Sequence, residues 1–121
     1  MGVAGIGGIF FRSADPEART AWYRTHLGID AGHGGIWQQE AGMTVFAPFP
    51  NNSDYFAPDQ AFMLNLRVTG LEEMAARLEG SGIPVERREE WNTAEYGNFA
   101  RIHDPEGLPI ELWEPPTAAP A

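Results

Sequence analysis

A carboxylate occupies the middle of the stretch LPIELWE, residues 108–114. Ile110 and Leu112 alternate with Glu111, so a strand that buries both aliphatic side chains turns Glu111 to the opposite face of its sheet. On that face the carboxylate is either a solvated surface group or part of a site. In a site it could act as a general base or accept a hydrogen bond from a ligand.

Other reactive groups are scarce in this chain. It has no Cys, which removes disulfides, thiolate nucleophiles and Cys-ligated metal sites together. All eight basic residues are Arg, so a lysine Schiff base is impossible. The three serines, Ser13, Ser53 and Ser81, have no nucleophile-elbow context. The remaining chemistry must rest on His, Asp, Glu, Tyr or a metal.

The size and charge of the chain narrow its class. A length of 121 residues is enough for a single domain, residues 1–121, and too short for two independent ones. The net charge of −9 argues against a nucleic acid or an anionic membrane as partner, because both would repel the chain. No apolar run is long enough for a membrane helix, and the N-terminal residues lack the pattern of a secretory signal. We therefore expect a cytoplasmic protein.

The first half of the chain predicts a strand, a helix and further short strands. Residues 5–13, GIGGIFFRS, are typical of a strand. Asp15 is a good N-cap, Pro16 suits the first helical position and Gly28 suits the end of the helix. Residues 29–50 predict two or three short strands joined by Gly-rich turns. At helical spacing the predicted buried stripe consists of Ala18, Ala21, Trp22 and Thr25.

The second half repeats this order. Residues 61–68 alternate as a strand does, with Leu64, Leu66 and Val68 on one side and Met63, Asn65 and Arg67 on the other. A capping box from Thr69 to Glu72 predicts the start of a second helix. Its predicted buried stripe consists of Leu71, Met74, Ala75 and Leu78. Residues 83–91, 98–103 and 108–114 predict three strands, the last two joined by a turn at residues 104–107.

Two motifs make the chain resemble a known family. DPEARTAWYRTHLGI (residues 15–29), DPEGLPIELWEP (residues 104–115) and the doubled element order resemble the glyoxalase/bleomycin-resistance/dioxygenase (vicinal oxygen chelate) superfamily, over about residues 5–116. The resemblance implies an α+β fold with two βαβββ modules forming a half-barrel cleft in one domain. Module 1 would span about residues 5–56 and module 2 about residues 60–116, followed by a tail at 117–121. The resemblance also implies a homodimer.

In that family four strand side chains hold a divalent metal, and the resemblance identifies the matching positions. Glu111 matches the ligand on the last strand of the second module. The other positions match Gly8, Thr44 and Met63, of which none is a strong ligand for a hard cation. We therefore expect no family metal site and no cofactor, although a divalent metal at a relocated site stays possible. A metal site built from His33, His103 and Glu111 has no supporting spacing.

The resemblance and strand alternation together predict the residues that face the cleft. We expect an apolar pocket with a few polar groups, typical of small-molecule sites. Alternatively, Arg12, Arg67 and Glu111 pair with one another as structural ion pairs. Loop aromatics either rim the cleft or pack in the core: Tyr55, Phe56, Trp91, Tyr96 and Phe99. The predicted cleft residues are Phe10, Arg12, Thr44, Phe46, Met63, Asn65, Arg67, Glu111 and Trp113.

Three functions are compatible with this sequence. The leading hypothesis is a metal-independent binder of the bleomycin-resistance kind, which sequesters or senses an aromatic or hydrophobic metabolite or drug. The second is an enzyme of the glyoxalase or extradiol-dioxygenase type, a lyase or dioxygenase with a relocated metal or with acid–base catalysis at Glu111. The third is an interaction module whose cleft is vestigial and filled by side chains such as Phe10 and Phe46. The motifs identify a scaffold, and such scaffolds host many functions.

Overall fold

The structure is a computed structural model that describes residues 2–30 and 35–116. Its helices are α1 (Pro16–Leu27) and α2 (Leu71–Gly80), and its strands are β1 (Leu64–Arg67), β2 (Asn98–His103) and β3 (Pro109–Glu114). A 3₁₀ turn, Glu89–Trp91, lies between α2 and β2. The arrangement is α+β. None of the helices in the described ranges is long and apolar enough to cross a membrane.

Helix α1 begins and ends where the sequence predicts. The Asp15 carboxylate accepts a hydrogen bond from the Ala18 N–H at 3.1 Å, and Pro16 is the first helical residue. Gly28 ends the helix with a φ of 69°, the left-handed conformation that glycine adopts without strain. The predicted buried stripe was wrong in part: Ala18 and Thr25 are exposed, and Trp22 is half-buried against the core. The fully buried residues of α1 are Arg19 and Tyr23.

Arg19 and Tyr23 are buried because both bind the carboxylate of Asp104. Two guanidinium nitrogens of Arg19, Nε and Nη2, lie 2.8 and 2.6 Å from Asp104 Oδ2, and the Tyr23 hydroxyl donates to the same oxygen at 2.7 Å. Oδ1 of Asp104 accepts from the backbone N–H groups of Glu106 and Leu108. Burial alone would raise the pKa of Asp104, but these hydrogen bonds outweigh it and hold that pKa below its usual value.

The residues preceding α1 are attached to the same turn. Glu106 accepts hydrogen bonds from the Ser13 hydroxyl at 2.5 Å and from the Ala14 N–H at 2.8 Å. The Gly107 N–H donates to the Asp104 carbonyl at 2.9 Å, which closes the predicted turn between β2 and β3. Hydrogen bonds between polar groups therefore connect the start of α1 to the turn that leads into β3.

The three strands form one sheet in the order β1-β3-β2. β3 lies in the centre, parallel to β1 and antiparallel to β2. One face of the sheet packs against α2 and forms the core with Tyr23 of α1. The buried residues of that face are Leu64, Ala100, Ile102, Ile110 and Leu112, and the half-buried Leu66 lies beside them.

Helix α2 buries the predicted stripe but begins differently. Leu71, Ala75 and Leu78 are buried, as predicted. The predicted capping box was wrong: the residue before the helix is Gly70, with a φ of 66° and no side chain to cap. The cap comes instead from Glu114 at the end of β3, whose carboxylate accepts from the Gly70 N–H at 2.8 Å. A negative group at this position also suits the helix dipole.

Several predicted strands are not observed. Residues 2–30 and 35–63 contain no strand, and residues 83–91 make only the isolated bridge from Glu86 to Arg101 before the 3₁₀ turn. The two βαβββ modules are therefore not confirmed. In the described ranges, the first half of the chain pairs with no strand, and its Ile9 and Phe10 are exposed rather than packed against the core. His33 and the predicted tail at 117–121 lie outside the described residues.

The buried ion pair predicts a large effect of Arg19→Met. This variant keeps an aliphatic side chain and leaves the buried Asp104 carboxylate without its counter-charge. We expect the free energy of unfolding to fall by about 3–5 kcal/mol, measured by urea denaturation. The matched control is Arg87→Met, which breaks the more exposed pair with Glu72 and should leave the denaturation midpoint close to that of the wild type. Equal effects of the two variants would contradict the central role of the buried pair.

Candidate functional site

Glu111 lies in a row of polar side chains across the face of the sheet opposite the core. In the strand register, Asn65 of β1 and Arg101 of β2 flank Glu111 on either side. The Asn65 amide donates a hydrogen bond to Glu111 Oε1 at 2.7 Å. Glu111 is only 5% exposed, so it is not the solvated surface carboxylate that one interpretation of the sequence allowed. We call Asn65, Glu111 and Arg101 the polar row.

Tyr55 covers the polar row from the connector between the two halves of the chain. Its hydroxyl donates a hydrogen bond to Glu111 Oε2. The Arg101 guanidinium lies against the Tyr55 ring, 5.2 Å from its centroid, and donates to the Tyr55 backbone carbonyl at 3.1 Å. Trp91 lies 5.1 Å from the same guanidinium, so the cation has two aromatic neighbours.

The environment of Tyr55 keeps its hydroxyl protonated. Burial raises the pKa of Tyr55 well above its usual value, and the hydrogen bond to Glu111 and the charge of that carboxylate raise it further. The positive charge of Arg101 opposes this rise and is outweighed. Tyr55 is therefore a neutral hydrogen-bond donor to Glu111.

A second, more aromatic row lies beside the polar row. The Trp113 ring stacks on Phe99 with a centroid separation of 6.4 Å and an interplanar angle of 12°. The Trp113 indole N–H donates to the Tyr96 carbonyl at 2.7 Å, which fixes the orientation of the ring. Arg67, next to Trp113 in the register, donates to the backbone carbonyls of Glu40 and Met43. The site thus combines a hydrogen-bonded carboxylate with a stacked pair of aromatic rings.

The predicted ion pairs among Arg12, Arg67 and Glu111 do not form. Glu111 accepts hydrogen bonds from Asn65 and Tyr55, and the side chain of Arg67 donates to backbone carbonyls. The backbone carbonyl of Arg12 accepts from Arg19 at 2.8 Å. The Arg12 side chain lines a separate open cleft of about 450 Å³, together with Gln60 and Glu106.

The structure brings four of the predicted cleft residues onto one sheet face: Asn65, Arg67, Glu111 and Trp113. Met63, just before β1, is partly buried. The remaining predictions fall on exposed residues: Phe10 is 94% and Phe46 88% exposed, and Thr44 is exposed as well. Their place in the cleft stays a prediction.

The donor set around Glu111 favours hydrogen-bonding ligands over a cation. Its two oxygens face an amide and a phenolic hydroxyl. Within residues 2–30 and 35–116, no three His, Cys, Asp or Glu side chains are placed to hold a metal ion together. Gly8 and Thr44, at two of the matched metal positions, are exposed, and His103 lies exposed on β2.

Arg101 is the residue that sequence reasoning missed. Phe99, Arg101 and His103 alternate along β2, so the pattern contained the signal that they share one face. What the pattern lacks is the pairing of β2 with β3, which places Arg101 directly beside Glu111. Of the loop aromatics, Tyr55, Trp91 and Phe99 lie at the site.

These features define an α+β protein whose sheet bears a buried, hydrogen-bonded carboxylate among aromatic side chains. Among solved structures, the chain is similar to the crystal structure of TnmS3, an antibiotic binding protein from Streptomyces sp. CB03234. The TM-score is 0.61 at 24% sequence identity, over 95% of this chain and 98% of the other. This likeness shows a shared fold. No protein-family model and no curated protein matches the sequence.

Because its pKa is raised, the Tyr55 side chain should ionise at a higher pH than an ordinary tyrosine. Its pKa is higher in the folded than in the unfolded chain, so the resulting stabilisation is present below pH 10.0, the usual value, and is lost as the pH rises beyond it. In Glu111→Gln, which removes the negative charge, tyrosinate absorbance should rise at lower pH than in the wild type. Glu79→Gln on the exposed side of α2 is the control. Identical titration curves for Glu111→Gln and the wild type would contradict the contact.

Proposed function

We propose that this chain is a small-molecule-binding protein of the bleomycin-resistance kind, which sequesters or senses an aromatic or hydrophobic metabolite or drug. The observation that carries the proposal is the buried carboxylate of Glu111, held between Asn65 and Tyr55 on the face of the sheet opposite the core. A few fixed polar groups among aromatic side chains are the usual composition of such sites.

The fold of the relative supports this proposal. TnmS3 is an antibiotic binding protein, and its fold extends over nearly the whole of this chain. The face that carries Glu111 also carries the stacked rings of Phe99, which is half-buried, and Trp113, which is 8% exposed. On this proposal, Glu111 orients the ligand by accepting a hydrogen bond and the aromatic rings supply contact area.

Independence from metal is part of the proposal. Of the four positions matched to the metal ligands of the resembled superfamily, only Glu111 is a strong ligand, and its oxygens already accept from Tyr55 and Asn65. A cation at Glu111 would gain a single carboxylate, which is far fewer than the roughly six to eight oxygen ligands that a hard cation such as Ca²⁺ takes. Organic ligands need only one acceptor with defined geometry, which this carboxylate provides.

Binding should be detectable with aromatic probes in the presence of a chelator. In a library of aromatic metabolites and antibiotics with EDTA present, we expect compounds that raise the melting temperature of the wild type. Glu111→Gln should weaken their binding about tenfold without abolishing it, because a hydrogen bond to a charged acceptor becomes one to a neutral amide. Glu79→Gln is the matched control. Loss of all binding with EDTA, and its return with Zn²⁺, Ni²⁺, Fe²⁺ or Mn²⁺, would favour the enzyme hypothesis instead.

We also propose that the protein is a homodimer in which a second copy covers the first half of the chain. Exposed large apolar side chains concentrate there, among them Ile6, Phe10, Ile36, Val45 and Phe46. Of the other described residues, only Phe62 and Tyr96 are large, apolar and exposed. Such a concentration of exposed apolar side chains is typical of a protein interface. β1 also has a free outer edge, because β3 is its only neighbour in the described sheet.

The same contact would complete the predicted half-barrel. Residues 5–13 and 35–50 could form strands once a second copy offers partner strands and an apolar face. Phe10, Thr44 and Phe46 would then line a cleft with Glu111. On this proposal, the two βαβββ modules form only in the assembled protein.

Association should therefore depend on the first half of the chain. We expect a dimer at micromolar concentrations in sedimentation-velocity experiments, and we expect Phe46→Asp to weaken it at least tenfold because a charge would be buried in the contact. Ala76→Asp, on the exposed side of α2, is the control for an added charge. A wild type that stays monomeric at these concentrations would refute the proposed dimer.

A further inference from the structure

Tyr55 is a phenol that the chain itself places on the polar row. Its hydroxyl donates to Glu111, and its ring lies against the Arg101 guanidinium with Trp91 nearby. The side chain of tyrosine is a para-alkyl phenol, so these contacts define a geometry that accepts a phenolic ring. Asn65 fixes the other oxygen of the carboxylate and so holds the acceptor in place.

The contacts of Tyr55 with the rest of the molecule are mainly those with Glu111 and Arg101. Tyr55 belongs to no helix or strand, and its backbone N–H donates a hydrogen bond only within its own segment, to the Ser53 hydroxyl at 3.3 Å. Its ring has one further aromatic neighbour, Phe49, at 5.9 Å. A side chain held in this way can be replaced by a ligand of equivalent chemistry without disturbing the core, which lies on the other face of the sheet.

A second observation indicates that Tyr55 leaves one polar group of the site without a hydrogen-bond partner. The Nε of Arg101 is buried and has no hydrogen-bond partner among the described residues. An unsatisfied buried donor is costly, and such groups in folded proteins usually meet a partner, water or a ligand. A phenol that also carries an acceptor, such as a neighbouring carbonyl oxygen, would offer this nitrogen a partner that Tyr55 lacks.

We propose that the ligand of this protein is a phenol whose hydroxyl donates to Glu111, and that Tyr55 is an internal occupant which this ligand displaces. The proposal rests on the proposed small-molecule binding and specifies its ligand class. The hydroxyl must be protonated to donate, as that of Tyr55 is, because a phenolate beside the Glu111 carboxylate would be repelled.

The test uses p-cresol, which reproduces the side chain of tyrosine, and toluene, which lacks the hydroxyl. Binding is followed by NMR through the indole N–H signals of Trp91 and Trp113, which lie at the site. In Tyr55→Ala we expect p-cresol to bind at least tenfold more tightly than in the wild type, because the internal competitor is gone. In the same variant p-cresol should bind about tenfold more tightly than toluene, as expected for a hydrogen bond to a charged acceptor.

Two further variants separate the causes. Adding Glu111→Gln to Tyr55→Ala should remove most of the preference for p-cresol over toluene. Tyr96→Ala is the matched control, because Tyr96 is 61% exposed and its removal should not improve p-cresol binding. Tyr55→Phe keeps the ring without the hydroxyl, so it should retain the fold and still bind p-cresol more tightly than the wild type does.

Each result supports or overturns the inference. Equal binding of p-cresol and toluene by Tyr55→Ala would overturn the recognition of the hydroxyl and leave the proposed small-molecule binding intact. Equal p-cresol binding by the wild type, Tyr55→Ala and Tyr55→Phe would overturn the displacement. If p-cresol binds none of them, the phenol inference fails, while the proposed function is decided separately by the aromatic library.

Discussion

The buried pair of Arg19 and Asp104 holds the two ends of this chain together. The two residues are 85 positions apart, and Tyr23 adds a hydroxyl to the same carboxylate oxygen. A buried charge is tolerated only when it is paired and hydrogen-bonded, and Asp104 meets this condition with both of its oxygens. Because Asp104 also shapes the turn before β3, the pair fixes where β3 starts. The position of Glu111 on the sheet follows from that start.

Local signals predicted the ends of α1 and most of the second half of the chain. Asp15, Pro16 and Gly28 act through residues within one turn of themselves, and β1, β2 and β3 each carry a clear alternating pattern. The errors arose where a distant residue decides the outcome. The buried side of α1 depends on Asp104, and the start of α2 depends on Glu114, 44 positions after Gly70. In the first half, the predicted strands at 5–13 and 35–50 pair with no other strand in the described ranges.

The candidate site divides in the same way. Alternation placed Glu111 on the face opposite the core, the resemblance and alternation together put Asn65 on the same face, and the structure joins the two by a hydrogen bond. Arg101 required knowledge of the strand order, since its place beside Glu111 is set by the antiparallel register. To predict that Tyr55 contacts Glu111, one would need the path of the connector, and no local sequence pattern indicates that path. The contact of a loop side chain with the face of a sheet is thus the part of this site that is hardest to predict from the sequence.

The side chains of β3 have different structural roles at almost every position. Ile110 and Leu112 enter the core, Glu111 and Trp113 face the site, and Glu114 caps α2. Because side chains alternate along a strand, inserting or deleting one residue here would exchange the two faces, bringing a carboxylate into the core and aliphatic groups to the site. The length of β3 is therefore far less tolerant of insertions and deletions than the length of the connector that carries Tyr55. A change in the length of that connector would move Tyr55 relative to the polar row and leave the core on the other face of the sheet in place.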